Sequence, residues 1–197
     1  MRRRPEQLRA RKTLDDILSA AKVLIGERGT EGFSMTELAQ HAGLSKPALY
    51  RYFPNKKAIL VELTQSVFEE NRHLVARHLA ATRSGKEKEV LVKTLTAYCS
   101  VHTGEPYRRH LRAAMSADPD LVELDLADSE HNARQATQAL HPFFPTIEKD
   151  ELHRRLLILM NQMEPFAKLV ASRPKAEWHH FIQSYASLCL ATLQPSS

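Results

Sequence analysis

Apolar residues recur at helical spacing along most of this chain. Leu14, Ile17, Leu18, Ala21, Leu24 and Ile25 fall at the i, i+3, i+4, i+7 positions of one helix face. That stripe stops where Gly26, Gly29 and Gly32 appear. No strand pattern precedes them and they do not form GxGxxG, so they read as helix termination rather than a dinucleotide loop. Val90, Leu91, Thr94, Leu95 and Tyr98 make a second stripe. Leu152, Leu156, Leu159, Met160, Met163, Ala167 and Val170 make another, and Trp178, Phe181, Ile182, Tyr185, Leu188 and Cys189 a last one. Turn chemistry separates them around Gly104-Glu105-Pro106, Asp118-Pro119 and His141 to Pro145. No alternating strand pattern of useful length occurs, so the expected fold is all-α.

Between the first stripe and the rest, the punctuation is denser. Ser34-Met35-Thr36-Glu37 has the form of a capping box, in which the serine hydroxyl accepts from the Glu37 amide and the glutamate reaches back to the Ser34 amide. A short helix burying Leu38 and Ala39 should follow. Gly43 then permits a tight turn, Leu44 plugs the gap between helices, and Ser45 caps the next helix, whose first turn tolerates Pro47. Pro54-Asn55 breaks the chain again, and Asn55 caps a long helix that turns Ile59, Leu60, Leu63, Val67 and Leu74 inward. Two short capped helices joined by a glycine turn, over residues 34–53, are the layout of a helix-turn-helix reader.

Charge strengthens that reading. The formal net charge is +5, but residues 1–60 hold 12 Lys+Arg against 6 Asp+Glu, a net of +6, leaving 16 against 17, or −1, for the remainder. An excess of cations in one third of a chain suits a polyanion, because each neutralised phosphate releases counterions. Residues 1–10 read as a basic, mobile arm leading into the first helix. Lys46 lies in the first turn of the second short helix and Tyr50, Arg51 and Tyr52 follow, supplying groups that bond phosphates and base edges. Leu38, Ala39, Leu44, Leu49 and Phe53 read as core, and Tyr52 as either phosphate contact or packing.

The run from Phe33 to Leu60, above all Leu49-Tyr50-Arg51-Tyr52-Phe53-Pro54-Asn55-Lys56, resembles the signature of the TetR family of transcriptional regulators, and the resemblance extends over residues 11–71. It implies a three-helix DNA-binding head at 11–71, followed at 72–197 by a helical bundle for dimerisation and effector binding. It also implies DNA contacts by Thr36, Lys46, Pro47, Ala48, Tyr50, Tyr52 and Lys56. Arg51 is added as a contact, although its place varies in the family pattern.

By the same resemblance the chain acts as a repressor, binding a palindromic operator of double-stranded DNA as a homodimer in the bacterial cytoplasm and leaving it when a small-molecule effector binds. Tyr98, His102, Tyr107, His110, Met115, Asn161, Met163 and Phe166 are candidate effector contacts. Leu156, Met160, Met163, Trp178, Phe181, Ile182, Tyr185 and Leu188 are candidates for the dimer seam. The Trp178 to Cys189 stripe serves equally to close the monomer's own core. Pro165 should kink its helix, shaping either a pocket or the seam. The alternative function is a DNA-binding protein of this fold that answers to a protein partner, as a nucleoid-occlusion factor does.

Other classes fare worse. Cys99 and Cys189 stand ninety residues apart without ligand spacing, which suggests neither a disulfide framework nor a metal site and fits a reducing compartment. No run of about 18 apolar residues spans a bilayer and no secretory segment follows the first arginines. The ten histidines form no HExxH, and no nucleophile elbow or phosphate loop appears, so no cofactor, metal or enzymatic activity is expected.

Overall fold

The computed structural model describes residues 3–194. Among these residues the chain is helical throughout its regular structure, with no strand: α1 (Arg3–Arg28), α2 (Met35–His41), α3 (Lys46–Tyr50), α4 (Lys56–Ala80), α5 (Glu87–Gly104), α6 (Pro106–Ala117), α7 (Pro119–Leu140), α8 (Lys149–Ala171) and α9 (Trp178–Thr192). Short 3-10 turns at His141–Phe143 and Lys175–Glu177 precede α8 and α9. The helices group into two compact units. One comprises the chain up to Val67 together with Glu105–Leu121, and the other Phe68–Gly104 with the chain from Val122 onward.

This division is not the linear one at residues 71 and 72. The boundary falls inside α4, and α6 belongs to the first unit. The reason is packing: Tyr107, Leu111 and Met115 put the buried face of α6 into the first unit's core. Gly26 of α1 faces α6; a Cβ there would lie 3.4 Å from the Tyr107 amide nitrogen and 3.5 Å from Pro106 Cβ, ordinary contact distances. Lys22 of α1 sets its ammonium 5.1 Å from the centre of the Tyr107 ring.

The stretch read as a basic arm overlaps the first helix. Helix α1 begins at Arg3, so residues 3–10 are helical, while Met1 and Arg2 of that arm, like Pro195 to Ser197 at the other end, lie outside the described residues. Pro5 permits this because first-turn amides have no intrahelical acceptor to lose. At its other end α1 stops where Gly29 takes φ +77° and its amide donates to Ile25 O at 2.8 Å.

The first unit's core joins Ile17, Ala21, Leu24 and Ile25 of α1 to Phe33, Leu38, Ala39, Leu49, Phe53, Ile59 and Leu63, all buried. The capping box forms as read: Glu37 N donates to Ser34 Oγ at 3.2 Å, and Ser34 N donates to Glu37 Oε2 at 2.8 Å. The turn after α2 is a Schellman motif. Gly43 has φ +66°, its amide donates to Gln40 O, and the Leu44 amide donates to Ala39 O at 2.8 Å. Ala48 N donates to Ser45 Oγ at 3.3 Å, and Ala58 N to Asn55 Oδ1 at 2.9 Å, capping α3 and α4.

The second unit has two buried clusters. Leu95, Tyr98 and Cys99 of α5 meet Phe166, Ala167 and Val170 of α8 and Ile182 and Ala186 of α9. Ala133 and Ala136 of α7 meet Ile147, Leu152, Leu156 and Leu193. The Phe166 and Tyr185 rings stack at 3.9 Å. Helix α8 continues through Pro165, which lies on its exposed side. Arg155 of α8 donates through Nη1 to Thr192 O and Gln194 O, satisfying carbonyls left open at the end of α9. Both cysteines are free and buried, and burial pushes the Cys99 thiol up to about 11, so it is a packing residue and not a nucleophile.

Removing the Ser34 cap tests how much local chemistry holds the first unit. Ser34→Ala is expected to lower its stability by about 1 kcal/mol, with Ser34→Asp near neutral, in urea unfolding followed by circular dichroism.

Candidate functional site

Helix α3 is only five residues long, and one side chain anchors it. Leu49 is fully buried, and both Tyr52 N and Phe53 N donate to its carbonyl. With Leu49 inward, helical geometry turns Lys46, Pro47, Tyr50 and Arg51 to solvent, while Ala48 and Tyr52 sit half-buried. Thr36, in the first turn of α2, is exposed as well. Tyr50 leaves 43% of its surface in water. Seven of the eight DNA-contact candidates thus lie exposed or half-buried along one stretch of α2, α3 and the turn after it.

The eighth, Lys56, is held from within. Its ammonium lies 3.4 Å from Glu31 Oε2 and 5.0 Å from the centre of the Phe33 ring, with a quarter of the side chain exposed. A phosphate reaching Lys56 must share it with Glu31. Glu31 carries no signal in the sequence, because only folding brings it next to a residue 25 positions away.

Other cations of this unit are also engaged. Arg28 pairs with Glu37 at 3.2 Å, and Lys57 with Asp118 at 3.0 Å and Asp120 at 2.5 Å. Hydrogen bonds to Asp120 and Asp118 raise the Lys57 pKa, and the same contact lowers that of Asp118. Glu37 titrates below its ordinary value, chiefly because the Ser34 amide donates to the charged form. Lys46 and Arg51 form no ion pair among the described residues. The positive field of the first sixty residues is therefore narrower than their composition suggests: among the described residues, Lys46 and Arg51 at α3 and Arg9, Arg11 and Lys12 on α1 stay exposed outside ion pairs.

The second unit contains a cavity of about 110 Å³ lined by residues of α4, α5, α7, α8 and α9. Its wall is aliphatic over most of its area, as at Leu91, Ala136, Leu159 and Leu193, with Thr82, Glu87 and Thr94 as its polar members. Of the eight candidate effector residues, Met163 lines this cavity. Tyr98 and Phe166 pack in the adjacent core, His102 sets its ring 3.9 Å from Tyr98, and Asn161 Nδ2 donates to Leu157 O at 2.9 Å. Tyr107, His110 and Met115 belong to the first unit, with Tyr107 and Met115 in its core and His110 beside Gly29. The structure does not bring the eight together, because the turn at Gly104 to Pro106 sends α5 and α6 into different units.

The candidate seam is redistributed too. Leu156, Met160 and Met163 line the cavity, Ile182 is buried, and Trp178, Phe181 and Tyr185 pack on the core. Leu188 is 64% exposed, and Ile158 and Leu169 on the outward side of α8 are exposed with it. Sequence periodicity missed Ile158 and Leu169 because each lies off the dominant inward stripe.

A solvent-facing, capped helix-turn-helix on a helical scaffold defines the class of fold: that of the helix-turn-helix readers. Residues 17–63 match the family model described as bacterial regulatory proteins, tetR family, and residues 86–197 match the tetracyclin repressor-like C-terminal domain. With more than half of its length covered by the second match, the chain belongs to the TetR family. It is 39% identical over 62 residues to the class A tetracycline repressor from transposon 1721 of Escherichia coli, a match covering 31% of this chain and 29% of that one. Matches to curated relatives reach at most 46% of the relative's length among those described, so the chain aligns with less than half of each. A TetR-family regulator from Mesorhizobium loti has the same fold, with TM-score 0.65 and 21% identity over 92% of this chain and 96% of that one. So does Thermus thermophilus FadR, solved with lauroyl-CoA, with TM-score 0.62 and 22% identity over 93% and 96%. No helix among the described residues is long and apolar enough to cross a membrane.

Two measurements follow from this geometry. Lys46→Ala is expected to weaken binding to duplex DNA and to reduce the slope of log affinity against log salt by about 1, read by fluorescence anisotropy. An unchanged slope would remove Lys46 from the phosphate contacts. An NMR pH titration should place Glu37 below 4.5. Because its folded pKa is depressed, its contribution to stability is present above the unfolded value and lost as pH falls through the folded one.

Proposed function

We propose that the chain represses transcription as a homodimer bound to a two-fold symmetric operator, and that a small molecule held in the cavity of the second unit releases it. The observation that carries the DNA half is α3, with Leu49 buried beneath it and Lys46, Tyr50 and Arg51 facing solvent without internal ion pairs. In this reading Lys46, Pro47, Ala48, Tyr50 and Arg51 approach the major groove. Thr36, Tyr52 and Lys56 hold the flanking phosphates.

A two-fold dimer must place its recognition helices in successive major grooves, about 34–36 Å apart or a multiple of that distance. The exposed Ile158, Leu169 and Leu188 supply apolar surface on α8 and α9 for a partner copy. Release requires an effector that binds one spacing of the two heads better than the other; affinity alone shifts nothing. The apolar cavity supports an effector, and Thermus thermophilus FadR, of the same fold, binds lauroyl-CoA.

The test of the DNA half is binding to the symmetric sequence upstream of the chain's own gene against a random duplex of equal length. A preference of about 1000-fold or more is expected at physiological salt. Equal affinity for both would overturn sequence-specific repression. For the dimer, Ile158→Glu combined with Leu188→Glu is expected to yield monomer in analytical ultracentrifugation and to lose symmetric-site binding. A wild-type protein that sediments as monomer at micromolar concentration would defeat the homodimer.

A further inference from the structure

The wall of the cavity in the second unit offers almost no oxygen or nitrogen. Leucine, valine and alanine side chains make most of it, and Phe144 adds one aromatic ring. The residues there that could hydrogen-bond are turned to other uses. Thr94 donates its hydroxyl to Val90 O at 2.8 Å, which leaves its methyl for the cavity. Thr82 and Glu87, at the turn between α4 and α5, likewise contribute carbon: Glu87 accepts the Gly85 amide on Oε1 at 3.0 Å, and almost no hydroxyl or carboxylate oxygen reaches the wall. Met160, Met163 and Cys189 bring sulfurs, which are weak hydrogen-bonding partners. No lysine, arginine or histidine among the described residues lines the space.

Such a wall selects by what it cannot do. A hydroxyl, amine or carboxylate entering it gives up its bonds to water and finds no replacement, whereas a hydrocarbon has no such bonds to lose and gains burial. Water itself competes poorly, since a molecule placed there would lack the roughly two to four polar partners it needs. Selectivity therefore runs against every hydrogen-bonding group. Size narrows the class further. An apolar cavity of about 150 Å³ takes up benzene, so one of about 110 Å³ suits roughly four or five heavy atoms. The Met160 and Met163 side chains, unbranched and adaptable, let the wall follow the shape of its occupant.

We infer that the cavity is a site for a small saturated hydrocarbon, linear or cyclic, of about four or five carbons and without any hydrogen-bonding group. This deepens the effector reading above and rests on it for any effect on DNA, though not for binding itself.

The test uses the full-length chain with methyl-labelled methionine, titrated with propane, n-butane, n-pentane, n-heptane, cyclopentane, 1-butanol, n-butylamine and butyrate, and reads binding from saturable methyl shifts in NMR spectra. Met160 and Met163 should move most, with Met35 and Met115 of the first unit as references. From propane to n-pentane the affinity should rise about fourfold per methylene, the equivalent of burying one CH₂, and it should level off by n-heptane. Cyclopentane should bind as well. The n-pentane affinity should exceed that of 1-butanol, its isostere with a hydroxyl in place of a methyl, by at least about tenfold, and n-butylamine and butyrate should bind more weakly still. Ala136→Leu should fill the space and abolish binding, with Leu190→Phe as a second occluding variant if the first disturbs the core. 1-Butanol or butyrate binding as tightly as n-pentane, no hydrocarbon binding, an unbroken rise through n-heptane, shifts centred on Met35 or Met115, or occluding variants that bind like wild type would each overturn the assignment. Operator affinity measured in parallel separates the two readings: hydrocarbon binding without loss of DNA affinity upholds the ligand class and removes effector release.

Discussion

A five-residue helix has no stability of its own, and the rest of this protein's reading surface depends on overcoming that fact. Helix nucleation costs more than so few hydrogen bonds return. Helix α3 persists because Ser45 closes its first turn, the Schellman turn at Gly43 sets its direction, and Leu49 is fully buried in the first unit. Burial of that one leucine also decides which residues face outward. Every DNA contact proposed for α3 is a consequence of where Leu49 points.

The same unit shows how charge is partitioned. Its basic composition attracts a polyanion, but Arg28, Lys56 and Lys57 are held by Glu37, Glu31, Asp118 and Asp120. Exposed pairs of this kind contribute little to stability. Their effect is on the field: they lower the non-specific pull on any phosphate and leave Lys46 and Arg51 as unpaired cations at the helix that would read bases. Two of those carboxylates sit at the start of α7 and enter the unit because the α6 segment packs there.

In the second unit one set of apolar stripes does three jobs. Residues at the centre of each stripe, such as Ile182 and Val170, close the core; Leu156, Met160 and Met163 border the cavity; Ile158, off the stripe, and Leu188, at the edge of its stripe, remain on the surface. Which job a residue takes depends on its angle around the helix and on what lies opposite. Arg155 illustrates the cooperation required, since its side chain on α8 completes the end of α9, nearly forty positions later.

The local chemistry was legible residue by residue. The capping box at Ser34 and Glu37, the turn glycine at Gly43, the caps at Ser45 and Asn55 and the inward stripes of α1 and α4 all follow from interactions within a few positions, which spacing encodes directly. So does the all-helical character, and with it the family resemblance carried by residues 33–60. Tertiary structure alone decided that α6 joins the first unit, that Glu31 holds Lys56, that the candidate effector residues divide between two units, and that an apolar cavity forms among α4, α5, α7, α8 and α9. Each of these depends on contacts between segments far apart in the chain, and periodicity states only that a face is buried, never which face lies against it.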